Sequence, residues 1–238
     1  MLKQEEIPVD YAEYIFRVNH RIMEGDCQMD HGPRLCVIKP ILADRYAVTN
    51  HMFYEFIRES GYRPQDPRNF LKHWQDGKYP PGGEDLPVVN VSQEDAKAYA
   101  AFYGKRLPTE PEWQYLAGGP EKFRWPWGNQ KDYRKCNVHG TGLEAADSRP
   151  EGASPFGLYH MCGNVWEFTG ERYADRSPGH EQDHRFICLR GGSFYTGSYY
   201  WHTESGAVPN HCHLKMHLLG DALGRLETAG FRCVRERG

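Results

Sequence analysis

Closely spaced turn signals in the second half of the chain are the strongest constraint on its fold. After residue 120 the segments WPWGN, HGTG, RPEGASPFG, CGN, SPGH and RGG follow one another, and no helical periodicity persists between them. The 238 residues include 25 glycines and 16 prolines, and aromatic residues make up 13% of the chain. We therefore predict a loop-rich domain in which aromatic side chains pack short strands together.

Three helices are predicted in the first half from their capping residues. They cover residues 49–61, 92–104 and 109–119, and each ends at a glycine. Thr109 and Glu112 form a capping box, and the other two helices begin at Thr49 and at Ser92. Few short helices beside many short strands indicate an α+β domain.

The N-terminal region carries two weaker patterns. Tyr11, Ile15 and Val18 recur at helical spacing, which predicts an N-terminal helix. The stretch RLCVIKPILADRYAVTN alternates enough to predict two short strands. Residues 1–34 are predicted to form an extension that packs on a core domain of residues 35–238.

Composition excludes several classes of function. The net charge of −3 gives no reason to expect nucleic acid or an anionic membrane as a partner. No apolar run approaches the ~18 residues of a membrane span, and the first residues lack a signal-peptide pattern. The seven scattered cysteines include no CxxC pair, which favours reduced thiols. We expect a cytoplasmic protein without nucleic-acid or membrane partners and without a nucleotide cofactor.

Six sequence blocks carry a resemblance to a known family. In chain order they are VTNHMFYEFI, PVVNVSQEDAKAYAAFYGKRLPTEPEWQYLA, WPWGN, SPFGLYHMCGNVWEFT, LRGGSF and GFRCVR. They occur in the same order in the sulfatase-modifying-factor family, which contains the formylglycine-generating enzymes, and span roughly residue 35 to the C-terminus. The chain resembles this family. The resemblance implies an elaborated C-type-lectin-like α+β fold that is poor in regular structure.

The resemblance also implies a copper site, but its ligands are missing in this sequence. In the formylglycine-generating enzymes, two cysteines after the GGS block bind copper(I), because thiolates suit a soft metal that activates oxygen. The corresponding residues here are Thr196 and Trp201. Neither supplies a thiolate, so the chain is not expected to generate formylglycine. Cys212 would reach such a site only by a different loop path.

Five aromatic residues crowd the segment that follows the GGS block: Phe194, Tyr195, Tyr199, Tyr200 and Trp201. Such a surface suits a peptide, a sugar or a planar ligand, which the rings bind by stacking and by hydrogen bonds. Phe194, Tyr200 and Trp201 are the candidate ligand contacts here, with Trp166 as a fourth. Core packing is the alternative for these rings.

Four histidines lie in or just after this segment: His202, His211, His213 and His217. On a strand, the spacing His-x-His places two imidazoles on the same face. On a helical turn, the spacing His-x-x-x-His does so. Both arrangements can ligate zinc, iron or copper, and solvated or hydrogen-bonding histidines are the alternative. The candidate catalytic residues are Ser193, Tyr195, Tyr199 and Glu204, and Tyr195, Tyr199 or Glu204 would transfer protons.

Two segments resemble calcium-binding segments of the family. In GLYHMCGNVWEFT the implied ligands are two backbone carbonyls and a carboxylate, those of Gly163, Val165 and Glu167. The family's Asp or Asn in this segment is replaced by His160, whose imidazole is a poor calcium ligand, and Glu167 has the alternative of capping backbone amides. In CNVHGTG, Asn137 and the carbonyl of Val138 match the second segment.

Two functions of different classes remain open. The first is a metal- and oxygen-dependent oxidoreductase of the wider family, which acts on a small molecule or a peptide in the 194–217 segment. The second is a non-catalytic ligand- or protein-binding module that presents an aromatic groove on the lectin-like fold. The place of the histidines within the family's active-site segment favours the enzyme, by analogy.

Overall fold

A computed structural model shows an α+β fold, as predicted. It describes residues 1–23, 26–28, 30–181, 183–195, 212, 214–220 and 225–238. The three predicted helices are confirmed as α1 (Asn50–Ser60), α2 (Gln93–Phe102) and α3 (Glu110–Gly118). The strands are β1 (Glu6–Val9), β2 (Ala12–Phe16), β3 (His20–Met23), β4 (Arg34–Ile38), β5 (Ile41–Asp44), β6 (Trp166–Tyr173), β7 (Phe186–Arg190), β8 (Leu214–Leu219), β9 (Ala229–Gly230) and β10 (Val234–Glu236).

Side-chain caps set where the helices begin. Thr49 accepts a hydrogen bond from the backbone N–H of Met52 at the start of α1. Thr109 and Glu112 form the predicted capping box at α3, and Ser92 forms a second box with Asp95 at α2. These caps satisfy backbone donors that the first helical turn leaves without partners, so they fix the position of each N-terminus.

The prediction of an N-terminal helix is wrong, because this region forms β1 and β2. Burial alternates with a period of two: Tyr14 and Phe16 are buried, whereas Ile15 between them is exposed. β1 pairs with β5 and β2 pairs with β4, so the first residues extend two sheets. The two strands predicted between residues 34 and 50 are confirmed as β4 and β5. The domain boundary at residue 34 stays a prediction.

Within the described residues the strands form three sheets, with the orders β1-β5-β10, β2-β4 and β3-β8-β7-β6-β9. In the largest sheet, β7 is antiparallel to both β6 and β8, while β3 and β9 run parallel to their neighbours. One face of this sheet carries Leu189 and Leu218 into the main apolar core, where α1 and α2 contribute Phe53 and Tyr99. Burial of this face fixes the register of the strands.

The opposite face of the same sheet is polar. The register places Arg190 of β7 beside Lys215 of β8 and Cys188 beside His217. On the other side of β7, Glu167 of β6 lies opposite Arg190. Helix α3 contacts both β6 and β7, so the sheet and this helix enclose a layer of charged side chains.

Two general features bear on the surroundings of the protein. Among the described residues, no helix combines the length and the apolar character that crossing a bilayer requires. No disulfide joins any of the seven cysteines, six of which are buried, while Cys36 is half-buried.

Candidate functional site

A row of buried charged side chains crosses the polar face of the five-stranded sheet. Glu167, Arg190 and Lys215 come from three adjacent strands, and none is more than 1% exposed. Strand alternation directs the intervening Leu189 and Met216 toward the main core and the charged residues toward α3. Buried charges are costly unless they are paired and hydrogen-bonded, so the partners of these residues define the site.

Glu110, at the first position of α3, is the common acceptor of this cluster and is fully buried. Nη1 of Arg190 lies 2.7 Å from its Oε1, and Nζ of Lys215 lies 2.7 Å from its Oε2. The phenol of Tyr173 donates to the same Oε2. Burial raises the pKa of Tyr173, so the phenol keeps its proton and remains a donor.

A second acidic side chain lies beside Glu110 at the start of α3. Glu171 accepts a hydrogen bond from the backbone N–H of Glu110 at 2.8 Å, which places a carboxylate at the N-terminus of α3. Burial raises the pKa of Glu171. Glu110 and Glu171 therefore lie close together at the start of one helix, and the like charge of Glu110 adds to the rise in the pKa of Glu171.

His217 is the one of the four predicted transition-metal ligands that lies within the described residues, and it joins this cluster. Its ring centroid is 4.6 Å from that of Tyr173, and its Nδ1 lies 2.9 Å from Sγ of Cys27. Its Nε2 is buried and has no hydrogen-bond partner in the part of the chain that the structure describes. Burial and the charge of Lys215 lower the pKa of His217 to about 3, so the ring is neutral near pH 7.

The GGS turn leads from this cluster into the predicted ligand segment. Ser193 is buried, the backbone N–H of Phe194 donates to the carbonyl of Asn164 at 3.1 Å, and the side chain of Tyr195 is 54% exposed. Trp166 lies in the main apolar core. Seven predicted site residues lie outside the described residues: Tyr199, Tyr200, Trp201, His202, Glu204, His211 and His213.

Gly191 allows this turn to pass close to α3. Its φ is +91°, and a Cβ on this residue would lie 2.9 Å from the ring of Trp113. The same Trp113 donates its indole N–H to Glu167 at 2.7 Å, and its ring stacks under the guanidinium of Arg190 at 5.4 Å. A side chain at Gly191 would therefore displace the ring that packs against the charged row.

Glu167, one of the predicted calcium ligands, is engaged by protein donors. Arg232 donates to both of its oxygens, at 2.7 and 2.8 Å, and Trp113 donates to one of them. The carbonyl of Gly163 accepts the backbone N–H of Val165 at 2.9 Å. This arrangement gives Glu167 a structural role, since it ties β6 to the C-terminal segment around residue 232.

Asn137 is placed differently and fits a cation better. Its Nδ2 donates to Oδ1 of Asn164 and to the carbonyl of Gly142, both at 3.0 Å. Its Oδ1 is buried and has no donor within the described part of the chain. An oxygen left without a donor is the type of ligand that calcium prefers. A calcium ion at Asn137 and the neighbouring Val138 stays a prediction. No group of three or more His, Cys, Asp or Glu residues among those described is arranged to hold a metal.

His160 gives the protein a predicted sensitivity to acid. Its Nε2 lies 2.9 Å from Oγ of Ser148 and 3.2 Å from the carbonyl of Ala145, and burial lowers its pKa from 6.5 to about 4. The native state therefore binds this proton less readily than the unfolded chain. The stability that the neutral ring contributes is complete above pH 6.5 and decreases as the pH falls toward 4, by about 3 kcal/mol in total.

We expect His160→Asn to remove this dependence, because Asn tolerates the positive φ of 54° and does not titrate. Urea midpoints of both proteins at pH 7, 5.5 and 4.5 test the prediction. The difference between wild type and variant should change across this range in favour of the variant at low pH. A difference that is constant with pH would show that His160 does not titrate as described.

The sequence did not identify the centre of the cluster. Glu110 lies in the third helix within LPTEPEW, and the first position of a helix is an ordinary place for an acidic residue. A usable signal was present in FICLRGG and LKMHLL, where Arg190, Lys215 and His217 interrupt otherwise apolar strands. Charged residues at the inward positions of a buried strand indicate a paired or functional site.

The chain is similar to proteins of one family over most of its length. A model described as the sulfatase-modifying factor enzyme 1-like domain matches residues 20–237. The inactive C-alpha-formylglycine-generating enzyme 2 of Bos taurus is 30% identical over 87% of this chain and 81% of its own length. The formylglycine-generating enzyme of Thermomonospora curvata is 34% identical over 68% of this chain and 74% of its own length.

Solved structures show the same fold at lower identity. The structure of PvdO from Pseudomonas aeruginosa has a TM-score of 0.66 and 22% identity, over 98% of this chain and 94% of that one. Treponema denticola variable protein 1 has a TM-score of 0.69 and 15% identity, over 99% and 96% of the two chains. These similarities confirm the C-type-lectin-like fold of this family for the present chain.

Proposed function

Because the chain belongs to the sulfatase-modifying factor enzyme 1-like family, we propose that it is a metal-dependent oxidoreductase that acts on a small molecule or a peptide and does not generate formylglycine. Thr196 and Trp201 supply no thiolate, which supports the proposal that the chain does not generate formylglycine. A relative named as inactive is similar over most of the chain, which agrees with it. We also propose a cytoplasmic location, on the basis of the scattered cysteines.

The hydrogen-bonding pattern of His217 is the observation that supports a metal. Metal-ligating histidines bind the metal through one ring nitrogen and are held in orientation by a hydrogen bond at the other. In His217, Nδ1 is held at 2.9 Å by Cys27, and Nε2 is buried without a partner in the described part of the chain. His202, His211 and His213 are the predicted further ligands. An iron or copper ion held by these residues would supply one-electron chemistry with oxygen.

The residues around His217 can hold and orient protons beside such a centre. Tyr173 stacks on the imidazole and donates its phenol proton to Glu110, which also binds Lys215. This chain of contacts fixes the phenol oxygen and the carboxylate in one arrangement before any substrate binds. In the proposed enzyme Tyr173 and Glu110 hold a proton at a defined place, and Lys215 and Arg190 position the carboxylate.

Metal analysis of the purified protein tests the proposal. We expect about one equivalent of iron or copper in the wild type and a loss of most of it in His217→Ala. His73→Ala is the matched control, since its Nε2 is also buried without a partner in the described residues while its Nδ1 bonds to Asn90. This control should keep the metal. Wild-type protein with less than roughly a tenth of an equivalent, even after metal addition, would overturn the proposal.

A non-catalytic binding module is the second candidate, and the exposure of Tyr195 favours it. A tyrosine that is 54% exposed next to a half-buried Phe194 offers a surface for a ligand without any chemistry. This candidate predicts a protein that folds normally with no transition metal bound. Trp201→Ala should then weaken ligand binding, and an unchanged affinity would count against it.

A further inference from the structure

The ribbon formed by β2 and β4 exposes several apolar side chains on its outward face. Its cross-strand pair Ile15 and Leu35 is 42% and 60% exposed, and Val37, which lies opposite the exposed Glu13, is 53% exposed. Tyr11, just before β2, is 57% exposed. Isolated apolar residues are common on protein surfaces, but a contiguous group on one strand pair usually marks a contact surface.

A positively charged cleft adjoins this ribbon. It has a volume of about 700 Å3, and three of its lining residues are cationic, namely Arg17, Lys122 and Arg124. Ile15 of the ribbon forms part of the wall. No acidic side chain lines the cleft among the described residues, although the chain as a whole carries a net charge of −3. The cleft is therefore a local site of positive potential on an acidic protein.

We propose that the outward face of β2 and β4 and the adjoining cleft form a docking surface for a peptide segment of a partner protein. This segment carries both acidic and apolar residues. Apolar side chains of the segment contact the ribbon, and its carboxylates lie among the cations of the cleft. Charge complementarity of this kind selects the partner and speeds its association. An extended peptide presents every second side chain to a surface, so the residues of the segment that face the protein are apolar over the ribbon and acidic over the cleft.

The shape of the surface favours a peptide over an anionic membrane. A bilayer meets a protein as a broad surface, whereas the three cations here line a concave cleft that a narrow chain can enter. None of Glu110, Tyr173, Arg190, Lys215 and His217 of the buried cluster lines this cleft. Ile15 and Arg17 precede residue 20, where the match to the family model begins, so this surface is built partly by residues outside that match.

Fluorescence anisotropy with defined peptides tests the docking surface. The probe is a labelled peptide of about ten residues with Leu at every second position of one half, Glu at every second position of the other half and Ser between them. It is compared with a Leu and Lys peptide, in which Lys replaces Glu, and with a Ser and Glu peptide, in which Ser replaces Leu. The full-length protein is expected to bind the first and to bind the other two at least roughly tenfold more weakly. The protein variants are Arg17→Glu/Lys122→Glu/Arg124→Glu in the cleft and Leu35→Ser/Val37→Ser on the ribbon.

A variant with the same change of net charge elsewhere is the control: Lys3→Glu/Arg63→Glu/Lys72→Glu. Both surface variants should weaken binding of the Leu and Glu peptide by at least roughly tenfold, while the control binds as the wild type does. The proposal is overturned if the cleft variant binds the Leu and Glu peptide as tightly as the wild type does. It is also overturned if the wild type binds the Ser and Glu peptide equally well, or if it binds none of the peptides. Binding to phosphatidylserine vesicles without binding to the peptide also overturns it, in favour of a lipid surface.

Discussion

Replacing Glu110 with Gln is expected to destabilise the fold by about 3–5 kcal/mol, the largest effect that we predict. The carboxylate accepts hydrogen bonds from Arg190, Lys215 and Tyr173, and both cations are fully buried. A neutral amide of the same shape leaves the buried charges of Arg190 and Lys215 without the carboxylate that both of them contact. It also offers donor hydrogens where the site requires acceptors. Chemical denaturation monitored by tryptophan fluorescence measures the loss.

Glu94→Gln is the matched control for this experiment. Glu94 also lies near one lysine and one arginine, Lys97 at 3.4 Å and Arg172 at 3.0 Å, but its side chain is 62% exposed. Water screens these exposed pairs, so the control should lose less than about 1 kcal/mol. Equal losses in the two variants would show that burial does not set the strength of the Glu110 cluster.

Gly163→Ala is expected to cost about 2–5 kcal/mol through backbone strain and steric conflict together. The φ of Gly163 is +81°, and a Cβ on it would lie 2.4 Å from the backbone carbonyl oxygen of Asn137. This carbonyl accepts the N–H of Asn164 at 2.8 Å, so it cannot move away without breaking the pairing of the two loops. Thermal or urea unfolding measures the effect.

Gly179→Ala is the control that separates backbone strain from steric conflict. Gly179 has a similar φ of +86°, but a Cβ on it would meet no atom within 4 Å. Gly179→Ala should therefore show only the backbone strain, about 1 kcal/mol. If Gly163→Ala is no more destabilising than Gly179→Ala, the close approach of the two loops is not as the structure describes it.

Local signals in the sequence were sufficient for the helices and insufficient for the N-terminal strands. Thr49, Ser92 and Thr109 act on backbone groups within four residues, so their effect can be read from a short window. Tyr11 and Ile15 fitted a helical spacing by chance. This region forms a strand because β2 pairs with β4, about twenty residues away along the chain. A local sequence pattern contains no information about that pairing.

The candidate site shows the same limit more strongly. The family resemblance located the segment after β7, and His217 does lie in the cluster beside that segment. Glu110 and Lys215 are 105 residues apart, and Cys27 and His217 are 190 residues apart. Such contacts depend on strand register and on how α3 lies on the sheet. Spacing along the chain carries little information about either.

The pairing of β5 with both ends of the described chain has a consequence for the rate of folding. β5 lies between β1 and β10 in one sheet, and Arg235 binds Glu6 across 229 residues of sequence. Closing so long a loop costs entropy before the contact stabilises anything, so structures with distant pairings fold slowly. The pairing of β5 with β10 should consequently form late. Until then β5 has one unpaired edge, which makes the partly folded chain prone to aggregation during refolding.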